Sequence, residues 1–302
     1  MNSKIMTYIA LACTVLFWGF SFIGTKIALT SFTPIVYMFL RFSVASVFFL
    51  LLLLQRGFPK LSASDHKKLF LIAIFEPGLY FAFEATGLTY TTASKASIII
   101  SIVPIAVMLL ARVMLKEKIN IKSLSGILLS MAGILVLVLG DPKFSLSFEG
   151  SMTGDLLILG AVISAAFYMV LTRDLGQRLS SLEITSFQMF YGTILFTPLF
   201  ILNVGDINWA QVSANAVGAI AFLVIFATVL GYLFYNYALT QIPASRAAIF
   251  INGIPVITAI GAWIILGERL TLLQGAGGIM VLIAVMLTNM PDKRNNAVLG
   301  PS

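Results

Sequence analysis

The chain is poor in the residues on which soluble enzymes and metalloproteins build their chemistry. It has one cysteine and one histidine in 302 residues, and only 10% of its residues are charged. Cys13 sits alone in an apolar run, which excludes a disulfide framework and a cysteine metal site. A single histidine, His66, excludes HExxH-type zinc motifs, and its polar neighbours read as a solvated loop. No G-x-x-x-x-G-K-[ST] loop is present, so an ATP-driven pump is disfavoured. No Asp lies deep in an apolar run, which leaves a membrane enzyme without an evident dyad. No cofactor or metal is implied.

What is present is apolar. A 59% hydrophobic content and a mean hydropathy of +1.01 place the chain among polytopic membrane proteins. The net charge of +7 comes from basic residues in short loops, and no polar domain exists to hold nucleic acid. A spanning helix needs about 20 mostly apolar residues. Ten such runs can be laid out, near 6–27, 34–54, 69–89, 95–115, 122–140, 154–173, 183–203, 214–237, 246–265 and 272–290. The first is too long for the core of a cleaved signal, and no small-residue cleavage site follows it.

The sequence also writes part of itself twice. The stretch Phe83 to Leu135 is answered without a gap 151 residues later. Leu88 meets Leu239, Ser94 meets Ser245, Lys95 meets Arg246, Pro104 meets Pro255, Glu117 meets Glu268 and Gly126 meets Gly277. Apolar matches would follow from composition, but a Ser-basic pair, a Pro and a Glu in one register mark an internal duplication. If the N-terminus is cytoplasmic, thirteen Lys and Arg fall inside and four outside, with Arg41 and Arg112 within helices. That asymmetry places both termini in the cytoplasm of an inner or plasma membrane protein. Five helices per half then force the halves into opposite orientations. The expected fold is all-α and membrane-integral, with two inverted-topology five-helix repeats over 5–140 and 154–290 and a cytoplasmic tail over 291–302.

Polar groups inside a bilayer cost about 2.5–3.5 kcal/mol each on insertion scales, so they need a reason. Glu76, Tyr80 and Glu84 fall within about 80° of one another on the third helix, and Pro77 predicts a kink beside Glu76. Glu76 is expected roughly 10 Å from the cytoplasmic end. A carboxylate there binds a cationic substrate group or carries a coupling proton; the alternative is a structural carboxylate paired with Arg41 or capped by hydroxyls. Arg41 has three readings: balancing a substrate carboxylate, pairing with Glu84, or snorkelling outward. Trp18, Ser21, Tyr168, Tyr235, Asn236 and Asn252 are further cavity candidates, because polar groups at membrane depth must find protein or water partners. Ser94 and Ser245 fit as helix N-caps, and Pro104 and Pro255 bend their helices as packing features or hinges. Glu117 and Glu268 are read as favouring the N-terminus of the following helix.

The W-G-F-S-F of Trp18 to Phe22, the A-S-[KR]-A helix starts and the L-x-E closings resemble the EamA-type branch of the drug/metabolite transporter superfamily. The resemblance covers residues 5 to 290. It implies alternating access by a secondary transporter, with a cavity lined by helices 1, 3, 4, 6, 8 and 9 and a small metabolite such as an amino acid as substrate. A lipid flippase on the same fold is the competing reading, and the oligomeric state, monomer or homodimer, is left open. The second half departs from the pattern, with Ala165-Ala166 in place of Trp18-Gly19 and no carboxylate matching Glu76 or Glu84. On this topology a lone cysteine introduced as Phe144→Cys, with Cys13→Ser, is expected to react with an impermeant maleimide from outside only. Labelling from the cytoplasm alone would contradict the orientation.

Overall fold

A computed structural model describes residues 3–88, 90, 93–141, 152–206, 209–267 and 270–289. All the regular structure among them is helical, and ten segments are long and apolar enough to cross a membrane. They are α1 (Lys4–Ala28), α2 (Pro34–Arg56), α3 (Ala63–Leu88), α4 (Ala96–Met114), α5 (Ile121–Leu139), α6 (Met152–Leu175), α7 (Ser181–Asn203), α8 (Ala214–Gln241), α9 (Ala244–Ile265) and α10 (Leu272–Asn289). The tail over 291–302 lies outside the described residues.

Local chemistry sets the ends. Ser62 and Asp65 form a capping box, with the Asp65 amide donating to Ser62 Oγ at 3.1 Å and the Ser62 amide to Asp65 Oδ2 at 3.0 Å. Ser180 and Glu183 do the same for α7. The box at Ser62 starts α3 six residues before the apolar run does. Two expectations change with it. His66 is not a loop residue but a half-buried one on α3, its Nδ1 hydrogen-bonded with the Tyr191 hydroxyl at 2.8 Å. Glu76 moves to the middle of its span, thirteen residues from Ala63 and twelve from Leu88.

The expected N-caps also differ. The cap of α9 is Pro243, and Ser245 lies inside the helix; the side chain of Ser94 lies outside the described set. The bends at the prolines are present. The backbone of the fourth span is interrupted between Ile100 and Val103, just before Pro104. In α9 a 3-10 stretch, Ile249–Gly253, precedes Pro255. A proline cannot donate the helical hydrogen bond, so it is tolerated where a new helical turn begins.

The spans pack in a pattern that repeats. α1 lies against α8 and α9, while its counterpart α6 lies against α3 and α4; α2 pairs with α7 and α5 with α10. Exchanging each span for the one five along reproduces these principal pairings. α6 is the most enclosed, with 61% of its apolar window buried against 28% for α1. Large apolar side chains such as Leu51, Leu54, Leu202 and Leu282 face outward, as a lipid-facing surface requires.

The α5–α10 seam is built from small residues. Gly126 faces Ala284 and Thr288, Gly133 faces Gly277 and Val281, and Gly140 faces Leu273 and Gln274. The partners descend as the glycines ascend, so the two helices run antiparallel. Gly126 matches Gly277 and Gly133 matches Ala284 in the duplicated register, so each contact is mirrored by its counterpart. Small residues let backbones approach where hydrophobicity gives helices no reason to associate. A Cβ at Gly277 would come within 2.5 Å of the Leu137 amide nitrogen and 2.6 Å of the Gly133 carbonyl oxygen, neither of which can turn away. Gly277→Ala is therefore expected to cost about 1–3 kcal/mol, the range for overpacking. Gly275→Ala, with nothing within 4 Å of its Cβ, is expected to be neutral or mildly stabilising. Thermal unfolding in detergent compares the two.

Candidate functional site

The centre of the molecule is organised by a break in α3. Residues Ile74–Leu79 form a π-helical segment, and inside it Glu76 has extended torsions of φ −143° and ψ 110°. The Tyr80 amide donates to the Phe75 and Pro77 carbonyls, passing over the carbonyl of Glu76. That carbonyl is taken instead by the side chain of Gln188 on α7, whose Nε2 donates to it at 2.9 Å. In a membrane the alternative, an unpaired carbonyl, costs several kcal/mol.

The Glu76 side chain is 6% exposed, and the Tyr232 hydroxyl from α8 donates to its Oε1 at 2.7 Å. Glu84 is half-buried and receives the Tyr80 hydroxyl at 3.2 Å. The common helical face expected for the three residues is thus divided. Tyr80 serves Glu84, while the break turns Glu76 to α8. The Glu76–Pro77 peptide is cis.

Arg41 is only 4% exposed, so it does not snorkel. Its Nε donates to Thr228 Oγ1 at 2.7 Å and its Nη1 to the Tyr37 hydroxyl at 2.9 Å. The expected pairing with Glu84 is also absent: among the described residues no carboxylate lies within 4.0 Å of the guanidinium. The rings of Tyr37, Phe42 and Phe81 surround it at 5.7–5.8 Å, so cation–π attraction supplies part of what a counter-ion would. The centre therefore holds two carboxyl groups and one guanidinium that hydroxyls, amides and rings hold apart.

A second network backs the first. The Tyr168 hydroxyl donates to Asn236 Oδ1 at 2.7 Å, and Asn236 Nδ2 donates to Thr185 Oγ1 and Gln188 Oε1, both at 2.9 Å. Gln188 then reaches the Glu76 carbonyl, so Asn236, expected as a cavity residue, is a fully occupied hub. Trp18 packs against Tyr232 and Tyr235 at 5.2 Å, and its Nε1 donates to the Ala227 carbonyl at 2.8 Å. Tyr235 is buried and its hydroxyl donates to Met169 Sδ at 3.2 Å. Ser21 bonds within its own helix, to the Trp18 carbonyl. Asn252 stands apart, donating to Ser130 Oγ at 2.8 Å and to the Ser101 carbonyl at 3.4 Å, where it ties α9 to α5 and the fourth span. The cluster draws on α1, α2, α3, α6, α7 and α8, so helices 2 and 7 contribute where the resemblance implied 4 and 9.

Ion pairs gather at the end of the bundle that carries Arg56 and Lys118. Glu117 does not serve the helix that follows it. It accepts the Ala244 amide at 3.1 Å and the Ser245 hydroxyl at 3.4 Å, at the start of α9. Arg173 stands 3.9 Å from it and donates to the Leu239 and Thr240 carbonyls that close α8. Nearby, Lys68 pairs with Asp174 and Arg178 with Asp65. Glu268 lies outside the described residues.

Gln188, Thr185 and Thr228 join the site without having stood out in the sequence. The one signal available was a polar side chain inside an apolar run, as in F-Q-M-F-Y around Gln188. Asn236→Leu would strand the Tyr168 hydroxyl and Gln188 Oε1, at about 1–3 kcal/mol per buried orphan. It is expected to lower the unfolding temperature markedly, whereas Ser21→Ala is expected to leave it within a degree or two, which differential scanning fluorimetry can read.

Residues 5–139 and 152–290 each match the model of the EamA-like transporter family. An uncharacterized transporter of Archaeoglobus fulgidus is 34% identical over 291 residues, covering 95% of this chain and 98% of that one. A second from the same organism is 31% identical over 280 residues, covering 93% and 97%. The uncharacterized transporter YetK of Bacillus subtilis is 26% identical over 299 residues, covering 98% and 91%. A protein crystal structure of 14% identity covers 94% of this chain and 96% of its own, with a TM-score of 0.79, and shares the fold.

Proposed function

The chain belongs to the EamA-like transporter family, and from that premise we propose that it is a secondary transporter that exports small metabolites, amino acids or their derivatives, by alternating access. The observation that carries the reading is Glu76, a carboxylate at mid-span, held by a Tyr232 hydroxyl from the other half of the chain and placed on a helix break. Intramembrane carboxylates are expensive and mark ion or substrate pathways.

Two carboxyl groups and a guanidinium held clear of both suit a solute carrying an ammonium and a carboxylate. Glu84, half-buried and bonded to the Tyr80 hydroxyl, is the group that meets the ammonium. Arg41 meets the carboxylate, and Glu76 carries a proton in exchange. This polar, ring-lined centre favours a solute over a lipid.

Alternating access draws its support from the packing. In this reading residues 5–140 and 154–290 are two units of opposite orientation, with both termini cytoplasmic. The antiparallel α5–α10 seam and the exchanged neighbours of α1 and α6 support it. The ion pairs from Arg173, Asp174 and Arg178 then tie the cytoplasmic ends of α3, α4, α6, α8 and α9 together, and opening inward requires their release. Lys68–Asp174, exposed on both sides, is of the individually weak kind, so that tie is reversible.

Cells overproducing the protein, screened for tolerance to amino acids and antimetabolites, supply the assay. Glu76→Gln keeps size and hydrogen bonding but cannot ionise, and is expected to lower efflux at least about tenfold, the factor carried by 1.4 kcal/mol. Normal efflux by Glu76→Gln at unchanged abundance would sink the proposal.

A further inference from the structure

The break in α3 has a twin. Residues Leu223–Leu230 of α8 form a second π-helical segment, and the 151-residue register carries Ile74–Leu79 onto 225–230. The backbone pattern is the same at equivalent positions. In α3 the Tyr80 amide donates to Phe75 and Pro77; in α8 the Gly231 amide donates to Phe226 and Thr228. Both skip the carbonyl between, Glu76 in one case and Ala227 in the other, and those two residues are counterparts.

Each skipped carbonyl is filled by a side-chain N–H from the opposite half of the chain. Gln188 on α7 donates to Glu76 at 2.9 Å, and Trp18 on α1 donates to Ala227 at 2.8 Å. The donors are not counterparts of each other: Gln188 lies on α7, whose counterpart is α2, and Trp18 lies on α1. The fold has thus met one requirement at two equivalent points with different side chains. Each donor also has a glycine at hand. A Cβ on Gly231 would lie 2.6 Å from Trp18 Nε1, and a Cβ on Gly192, one turn beyond Gln188, would lie 2.9 Å from the Pro77 ring. Without those glycines the indole could not reach its carbonyl and the proline could not nest on α7.

We propose that Gln188 and Trp18 are positioning residues that pin matched hinges in α3 and α8, with Gln188 setting where the Glu76 carboxyl points. π segments inside spanning helices concentrate where helices bend. A bend whose freed carbonyl is satisfied only from across the molecule holds while that donor stays, and releases when the halves move apart. The two crossed bonds couple the halves at the depth where the carboxylate sits. Local hinge geometry stands by itself; the consequence for Glu76 rests on reading that residue as the working carboxylate.

Hydrogen–deuterium exchange of the full chain in nanodiscs tests the hinges without a known substrate. Gln188→Met removes the donor at nearly constant volume and is expected to speed exchange in peptides spanning 74–80 roughly fivefold, the worth of one buried hydrogen bond, and to leave 223–230 unchanged. Trp18→Phe is expected to do the reverse. Gln188→His, which restores a ring N–H, is expected to recover slow exchange at 74–80. The pH profile of Glu76 modification by dicyclohexylcarbodiimide is expected to be displaced in Gln188→Met and restored in Gln188→His, which a packing role alone would not produce. Unchanged or uniformly faster exchange in Gln188→Met, or no rescue by Gln188→His, would overturn the assignment of Gln188; wild-type exchange at 223–230 in Trp18→Phe would overturn that of Trp18. Local loosening together with normal efflux by Glu76→Gln would keep the hinges and remove the transport role of the carboxylate.

Discussion

In a bilayer core no water is available to a stray carbonyl, and this one constraint organises the centre of the protein. Glu76 leaves the helical conformation, so its carbonyl must find a donor elsewhere, and Gln188 supplies it. Gln188 must in turn be held, and Asn236, Thr185 and Tyr168 complete the chain of bonds. The break also aims the Glu76 carboxyl at Tyr232 on α8 rather than along its own helix. What looks like a collection of buried polar residues is the set of consequences of one departure from helical torsions.

The duplication divides the work between likeness and difference. Where the halves agree, the residues are scaffold: the glycine seam of α5 and α10 repeats each contact in mirror order, and the prolines stand where α4 and α9 restart. Where they disagree, charge appears. Glu76 answers Ala227 and Glu84 answers Tyr235. A symmetric frame can exchange conformations between its halves, whereas a site that binds one solute in one orientation has no use for symmetry.

The ionic ties at the basic end show a different economy. Glu117 reads in sequence as the neighbour of the helix that follows it, since only local order is visible there. In the fold it faces the first amides of α9, more than a hundred residues away, and Arg173 covers the last carbonyls of α8 beside it. A helix end is a partial charge that any opposite group can neutralise, and tertiary packing chooses which one.

Sequence alone determined the spans, their number and the internal repeat, because apolar length is an absolute requirement of the bilayer and a register of Ser-basic, Pro and Glu survives drift in the apolar residues. Pro77 also announced the break in α3. The equivalent break in α8 carries no proline, Thr228 standing in its place, so nothing local marked it. Arg41 could be read three ways because a guanidinium is long enough to reach solvent, a carboxylate or neighbouring hydroxyls. Only the packed structure decided for Tyr37 and Thr228. Hydrophobic pattern is written residue by residue along the chain, whereas the partner of a buried polar atom is set by which helices the fold brings face to face.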